Sequence, residues 1–282
     1  MESAAIIRFT ALGHENRLAV FRLLSRRYPD AVPAGEIARA LGLKPNTLSA
    51  YLATLMQAGL VGQTRAGTSL KYRVEWDAVQ GLIDFLFLDC CRGRPDLCPP
   101  LSRPAMQEAF VMPDTKLNVL FICSGNSARS IFAESILRQE AGDRFNAFSA
   151  GTRPQSELNP FAVELLAAKG HDTTPLRAKT QDEFRGSDAP VMDFVFTVCD
   201  RAANEECAAW EGQPITAHWG VADPVQAEGT DAEKRLAFQQ AYGQLRNRIR
   251  AFTALPFETL DRASLQRRVD ALESDAGDEV QA

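Results

Sequence analysis

Leu117-Asn118-Val119-Leu120-Phe121-Ile122, followed by Cys123-Ser124-Gly125-Asn126-Ser127-Ala128-Arg129-Ser130, is the stretch on which the reading of this chain turns. The first six residues are the near-continuous apolar run of a strand buried on both faces of a parallel sheet. Behind the loop, Ile131, Phe132, Ile136 and Leu137 recur at helical spacing. Strand, loop and helix with Cys-x5-Arg in the loop predict a cradle for an oxyanion. Backbone N–H groups of Ser124, Gly125, Asn126, Ser127, Ala128, Arg129 and Ser130 would wrap the anion, and the helix N-terminus adds partial positive charge. Arg129 returns as a bidentate clamp. Gly125 and Asn126 are residue types that tolerate left-handed backbone. The same field is expected to lower the Cys123 pKa and hold it as the nucleophilic thiolate, with Ser130 hydrogen-bonded to the sulfur.

Further along, Phe145 to Gly151, Phe194 to Val198 and Ile215 to Trp219 read as strands. Pro160 to Lys169, carrying Phe161, Val163, Leu165 and Leu166, and Asp231 to Phe252 read as helices. Alternating strands and helices imply a doubly wound parallel sheet whose ligand lies beyond the carboxyl ends of its strands. Cys123, Cys199 and Asp223 each follow a strand and should converge on one edge. Cys207 lies on an expected helix over 202–208, among Glu205, Glu206 and Ala208, and reads either as redox chemistry or as an idle helix residue.

Ahead of the loop, five of the 15 prolines fall between Pro95 and Pro113, which predicts an extended connector and a domain boundary near residue 115. The front segment shows helical spacing from Ala4 to Ser25 with Leu18, Phe21 and Leu24 on one face, then a break at Tyr28-Pro29-Asp30. A short helix follows from Ala34 to Leu41, closed by Gly42. A second begins at Leu43-Lys44-Pro45 and carries the stripe Leu48, Leu52, Leu55 and Met56, ending at Gly59. Two short helices joined by a tight glycine turn form a helix-turn-helix. Lys44, Asn46, Thr47, Ser49, Ala50 and Tyr51 are the candidates for DNA contact on the second helix, with Thr54 on the same outer face. Arg65 to Val74 reads as a hairpin whose Arg65 and Lys71 suit phosphate contact. Trp76 to Cys91 reads as one further amphipathic helix. The alternative is a small helical domain with an unremarkable surface.

Net charge is −5, but residues 1–100 carry +3 and the remainder −8. Only the front segment is therefore suited by charge to nucleic acid. No stretch approaches a membrane span and the first residues lack a secretory pattern, so a soluble cytoplasmic protein is the expectation. Six cysteines in 282 residues are too few for a secreted disulfide scaffold and read as ligands or redox groups. Cys90, Cys91 and Cys98 suit a thiophilic ion that takes three sulfurs in a pyramid, such as arsenite; zinc prefers four ligands. The alternative is that Cys90 and Cys91 are core residues and Cys98 is incidental. His14, His171 and His218 show no metal spacing and are expected to be structural or solvent-facing.

Residues 4–98 resemble the winged-helix repressors of the ArsR/SmtB class. The resemblance is carried by Leu12-Gly13-His14-Glu15-Asn16-Arg17-Leu18, Glu36-Ile37-Ala38 and Pro45 to Val61. It implies a homodimer, built through the N-terminal domain, that binds operator DNA and leaves it when arsenite, the As(III) inducer, is bound. Cys90, Cys91 and Cys98 are similar to the arsenite site of one branch of that class.

Residues 116–255 resemble the low-molecular-weight protein tyrosine phosphatases and the arsenate reductases built on that fold, through Cys-x5-Arg-Ser and Asp223-Pro224. That implies a four-stranded parallel α/β sheet with Asp223 as general acid. Cys199 and Cys207 favour a reductase, in which Cys123 attacks arsenic, Cys199 attacks Cys123 and Cys207 frees it. No tightly bound cofactor is expected; thioredoxin, or glutaredoxin with glutathione, would close the cycle. Ala128 stands where some members have a second loop cysteine, and the eight-position spacing from Cys199 to Cys207 is slightly longer than is usual there. The expected organisation is a winged helix-turn-helix over 1–92, a linker with the sensor residue Cys98 over 93–115, a reductase-like domain over 116–255, and a helix with an acidic tail over 256–282. The competing expectations are a repressor fused to a phosphatase or to a non-catalytic oxyanion-binding domain, and a reductase whose front domain only dimerises.

Overall fold

The computed structural model describes residues 2–90, 116–186, 188–205 and 210–274. The chain divides into two compact units, one of residues 1–104 with 204–206 and one of 105–203 with 207–282. The expected connector over 93–115, Cys91, Cys98 and Cys207 lie outside the described residues.

The first unit opens with α1 (Glu2–Leu12) and α2 (Glu15–Arg26). One continuous helical run was expected here. Instead the chain breaks at Gly13-His14, where His14 is extended at φ −150°, ψ 127°. A glycine followed by a residue outside the helical well ends one helix and starts the next. The buried face of α2 is Val20, Leu23 and Leu24. Leu18, expected on that face, is 41% exposed. Val32–Pro33 forms a two-residue strand, β1, too short for any pattern to announce.

Next come α3 (Ala34–Leu41) and α4 (Pro45–Gln57). Gly42 takes φ 63° between them, so that the Leu43 N–H returns to the Ala38 carbonyl at 2.9 Å. Pro45 occupies the first turn of α4, where no backbone donor is required. Leu48, Leu52 and Leu55 are buried and Met56 packs at the margin. Strands β2 (Val61–Ala66) and β3 (Ser69–Val74) form the expected hairpin, and β1 adds to β3 to give the order β1-β3-β2. Trp76–Asp84 is α5; from Phe85 to Cys90 the winding widens to a π-helix, a departure from the single regular helix expected.

The second unit is built on a parallel sheet of β4 (Leu117–Cys123), β5 (Phe145–Gly151), β6 (Phe194–Thr197) and β7 (Ile215–His218), in the order β5-β4-β6-β7. Val119, Leu120, Phe121 and Ile122 are buried on both faces of β4, as the unbroken apolar run requires. Helix α6 (Arg129–Ala141) follows the first loop and is buried nearly all round. Helix α7 (Pro160–Ala168) buries Ala162 and Leu166, with Phe161 and Leu165 packed at the edge of the core. Helix α8 spans Asp200–Asn204; residues 206–208 of the helix expected over 202–208 lie outside the described residues. Helix α9 (Asp231–Thr253) buries Phe238, Tyr242, Leu245, Ile249 and Phe252. Helix α10 (Arg262–Ser274) adds Leu265 and Val269 to the same core. The loops after β4, β5, β6 and β7 all leave the sheet at its carboxyl edge.

Candidate active site in the loop after β4

Cys123 is the last residue of β4 and is 3% exposed. The loop beyond it is held open by a second loop, after β5. The N–H groups of Thr152, Arg153, Gln155 and Asn159 donate to the carbonyls of Cys123, Ser124, Gly125 and Ser127 at 2.9–3.0 Å. Four carbonyls of the first loop are thus taken up by the second, and the Asn126 N–H turns toward the Cys123 sulfur.

Asn126 carries the turn at φ 44°. A non-glycine residue in that region needs compensation, and the side chain receives it. Its Nδ2 donates to Ser130 Oγ and Ser149 Oγ, both at 2.9 Å, and its Oδ1 accepts the Lys179 N–H at 2.6 Å. Ser149 donates to Glu134, whose carboxylate is paired with Lys179 Nζ at 2.9 Å and with Arg138. Asn126, Ser130, Ser149, Glu134 and Lys179 are all buried. Sequence reasoning missed Ser149, Glu134 and Lys179. They lie on three separate segments, and only the fold brings them beneath the loop.

The sulfur of Cys123 lies 2.9 Å from Ser130 Oγ and accepts the Asn126 N–H at 3.2 Å. The expectation of a lowered Cys123 pKa is overturned. Burial pushes the thiol up and Cys199 adds to the rise; the bonds from Ser130 and the charge of Arg129 pull down without reversing it.

Arg129 lines the same cavity as Cys123. It is committed at rest, donating to the Val221 carbonyl at 3.0 Å and pairing with Asp223 at 2.9 Å. Asp223 is therefore brought to the site, as expected, and is paired there with Arg129. Arg248, buried on α9, donates to the carbonyls of Trp219 and Gly220 and fixes the start of the segment that carries Asp223.

Cys199, expected to converge on the loop, does so. It is 2% exposed and its sulfur lies 3.5 Å from Ser124 Oγ; it also accepts the Ala202 N–H at 3.4 Å in the first turn of α8. The remaining lining comes from residues 155–160, Arg201, Val225 and Gln226. No tyrosine or tryptophan lines the cavity among the described residues.

In the first unit, Lys44, Asn46, Thr47, Ser49 and Ala50 form an exposed face along α4. Ser49 Oγ donates to the Pro45 carbonyl and Thr54 Oγ1 to the Ala50 carbonyl. Tyr51 is half-buried, its hydroxyl accepting from Asn16 and its ring lying 5.1 Å from that of His14. Arg65 is exposed near the hairpin tip and Lys71 is half-buried. Cys90 is a free, exposed thiol. Among the described residues no cluster of three or more His, Cys, Asp or Glu is placed to hold a metal ion, and no helix is long and apolar enough to cross a membrane. His171 bridges Ser135 and Tyr242, and His218 bridges Thr197 and Asp200; both are buried.

Residues 12–63 match the sequence profile described as helix-turn-helix domain, and residues 118–269 that of low molecular weight phosphotyrosine protein phosphatase. An arsenate reductase of Bacillus licheniformis is 35% identical over 138 residues, covering 49% of this chain and 96% of its own. One of Bacillus subtilis is 34% identical over 134 residues, 48% of this chain and 93% of its own. A solved ArsR-like transcriptional regulator from Rhodococcus sp. RHA1 aligns at 20% identity over 34% of this chain and 88% of its own, with a TM-score of 0.30. With a helix-turn-helix domain ahead of it and the cysteine loop at its heart, the chain belongs to the low molecular weight phosphotyrosine protein phosphatase family.

Proposed function

We propose that the chain joins an arsenite-responsive repressor of the ArsR type to an arsenate reductase. The observation that carries the reductase half is the second thiol at the loop: Cys199 lies within contact of Ser124, the residue after the nucleophile. Hydrolysis of a phosphate ester needs one cysteine. Two-electron reduction of an oxyanion needs a second thiol to complete a disulfide. The lack of tyrosine or tryptophan in the described lining of the cavity favours a bare oxyanion over an aryl ester.

Arsenate enters the loop as HAsO4²⁻ and takes the place of Asp223 on Arg129. The Cys123 sulfur attacks arsenic. Its proton, relayed by the freed Asp223 carboxylate, goes to the departing oxygen, which leaves with the substrate's own proton as water. Cys199 then attacks Cys123. The sulfur–arsenic bond breaks, its electron pair stays on arsenic, and arsenite leaves after taking up protons. A Cys123–Cys199 disulfide remains, and Cys207 passes it on to an external dithiol such as thioredoxin or glutaredoxin.

On the repressor side, the outer face of α4 enters the major groove and Arg65 and Lys71 meet phosphates. Cys90, with Cys91 and Cys98, takes the arsenite that the enzyme makes, and two copies pair through the first unit.

The test measures NADPH oxidation with arsenate through thioredoxin and glutaredoxin systems in turn, beside hydrolysis of an aryl phosphate. Arsenate-dependent oxidation that falls to background in Cys123→Ser and to at most one turnover in Cys199→Ser is expected. Sustained turnover by Cys199→Ser, or ester hydrolysis without thiol consumption, overturns the reductase reading. Release of operator DNA by arsenite, lost in Cys90→Ser, checks the sensor.

A further inference from the structure

His218 is the last residue of β7, and its side chain is only 3% exposed. Sheet pairing sets it beside Thr197, the last residue of β6. Both ring nitrogens have partners: Nδ1 lies 2.9 Å from Thr197 Oγ1, and Nε2 lies 2.9 Å from Asp200 Oδ1. A carboxylate only accepts, so Nε2 carries a proton and donates to Asp200. In the neutral ring Nδ1 then accepts from the Thr197 hydroxyl, and the two bonds together fix the plane of the imidazole. The Asp200 side chain is 62% exposed. A buried ring held in a fixed orientation is thus directed at one oxygen of a surface carboxylate, and that carboxylate belongs to the residue after Cys199.

Asp200 opens α8, which is five residues long. A helix this short does not hold itself, because its first turn fixes several dihedrals for a single hydrogen bond. Yet this turn holds the second thiol. The Ala202 N–H donates to the Cys199 sulfur at 3.4 Å, and the Ala203 N–H donates to the Cys199 carbonyl at 3.1 Å. On the other side of Cys199, the Val198 N–H donates to the Ile122 carbonyl of β4 at 2.8 Å. The sheet therefore anchors the chain before the sulfur, and the His218–Asp200 bond anchors the chain after it. Between the two anchors the Cys199 sulfur lies 3.5 Å from Ser124 Oγ.

We infer that His218 is a positioning residue for the second thiol, acting through Asp200 to keep the first turn of α8 wound and Cys199 against the cysteine loop. Attack of Cys199 on Cys123 is intramolecular, and its rate follows the fraction of time that the sulfur spends in place. His218 acts at one remove, through the backbone of Asp200, and takes no part in the bond changes at sulfur. The inference rests on the thiol-relay reading of Cys123 and Cys199, and the experiment separates the two.

The experiment uses the full chain in a Cys207→Ser background and measures formation of the Cys123–Cys199 disulfide with diamide, followed by proteolysis and mass spectrometry. Diamide, a diazene, takes two electrons and two protons from the two thiols and becomes a hydrazine, leaving the sulfur–sulfur bond; no arsenate is needed. Asp200→Ala, a change at a surface side chain, is expected to slow this step about tenfold. Asp200→Asn, whose amide oxygen accepts the same bond, should recover most of the loss. In a His218→Leu background the further change Asp200→Ala should slow the step no more. Equal rates in Asp200→Ala and the parent overturn the inference. So does failure of Asp200→Asn to rescue, and so does an Asp200→Ala effect of the same size with and without His218, since Asp200 would then act only as an acidic residue in the first turn of a helix. Disulfide formation that ignores Asp200, beside sustained arsenate turnover, sinks the inference and leaves the reductase reading standing. Absence of arsenate turnover in the otherwise unaltered chain, with disulfide formation still dependent on the His218–Asp200 pair, does the reverse.

Discussion

Helices α4 and α6 are both 13 residues long, and they do opposite things with their surfaces. Helix α4 buries one stripe, Leu48, Leu52 and Leu55, and leaves its other face bare from Lys44 to Ala50. Helix α6 buries almost every side chain of its first three turns, polar Ser130, Glu134 and Ser135 included. The first arrangement offers a surface to a partner from outside. The second places its polar groups inside the protein, where they shape the loop at its own N-terminus. A face and an interior site therefore fail differently when altered.

The largest effect is expected in the α4 stripe. Leu52→Ala removes a fully buried side chain and should cost about 2–5 kcal/mol of stability, measured by denaturant unfolding monitored with a probe in the first unit. Such a change in the stripe should leave Cys123 chemistry intact. A kindred loss of reductase activity would break the contrast between the units.

Next in size is the polar frame under α6. Asn126→Ala removes three side-chain bonds that hold a positive-φ residue. About a 100-fold fall in kcat/KM for arsenate is expected, with the fold kept by circular dichroism. A fall below about threefold would mean the loop holds its shape without Asn126.

On the bare face of α4, Asn46→Ala or Thr47→Ala should weaken operator binding by about 1–3 kcal/mol for each base left unread, with thermal stability unchanged. A change in stability without a change in DNA affinity would move those residues from the interface to the scaffold.

The smallest effect is in pH. Burial holds the Cys123 pKa above that of an ordinary thiol, so folding favours the protonated sulfur. The stability this contributes is full below about pH 8.5, the ordinary thiol value, and is lost as pH rises through the folded value. Alkylation of Cys123 in the anion-free protein should therefore lag that of the denatured chain and catch up only in alkali. Reaction at neutral pH as fast as in a loop with a depressed pKa would reverse the assignment.

Legibility from the sequence divides along the same line. β4 could be read because both its faces are buried, so its apolar residues run without interruption. The loop could be read because Cys123, Arg129 and Ser130 are close in sequence. The stripe of α4 and its Gly42 turn could be read because their geometry is local. The support of Asn126 could not, since Ser149, Lys179 and Glu134 are 23, 53 and 8 positions away and meet only through the sheet. The Arg129–Asp223 pair and the upward push of burial on the Cys123 pKa escaped for a related reason. Both depend on the groups that surround a side chain in space, whereas the motif names only its neighbours along the chain.

The tie between the two loops has a bearing on the sign of the ion that the cavity admits. Four carbonyls of the cysteine loop are taken up by N–H groups from residues 152–159. Hard metal cations are recognised by converging oxygens, and here those oxygens are already occupied on the far side of the turn. On the proposed oxyanion reading, the backbone itself turns away cations before any side chain is counted, and selection by sign follows from the pairing of two strand ends.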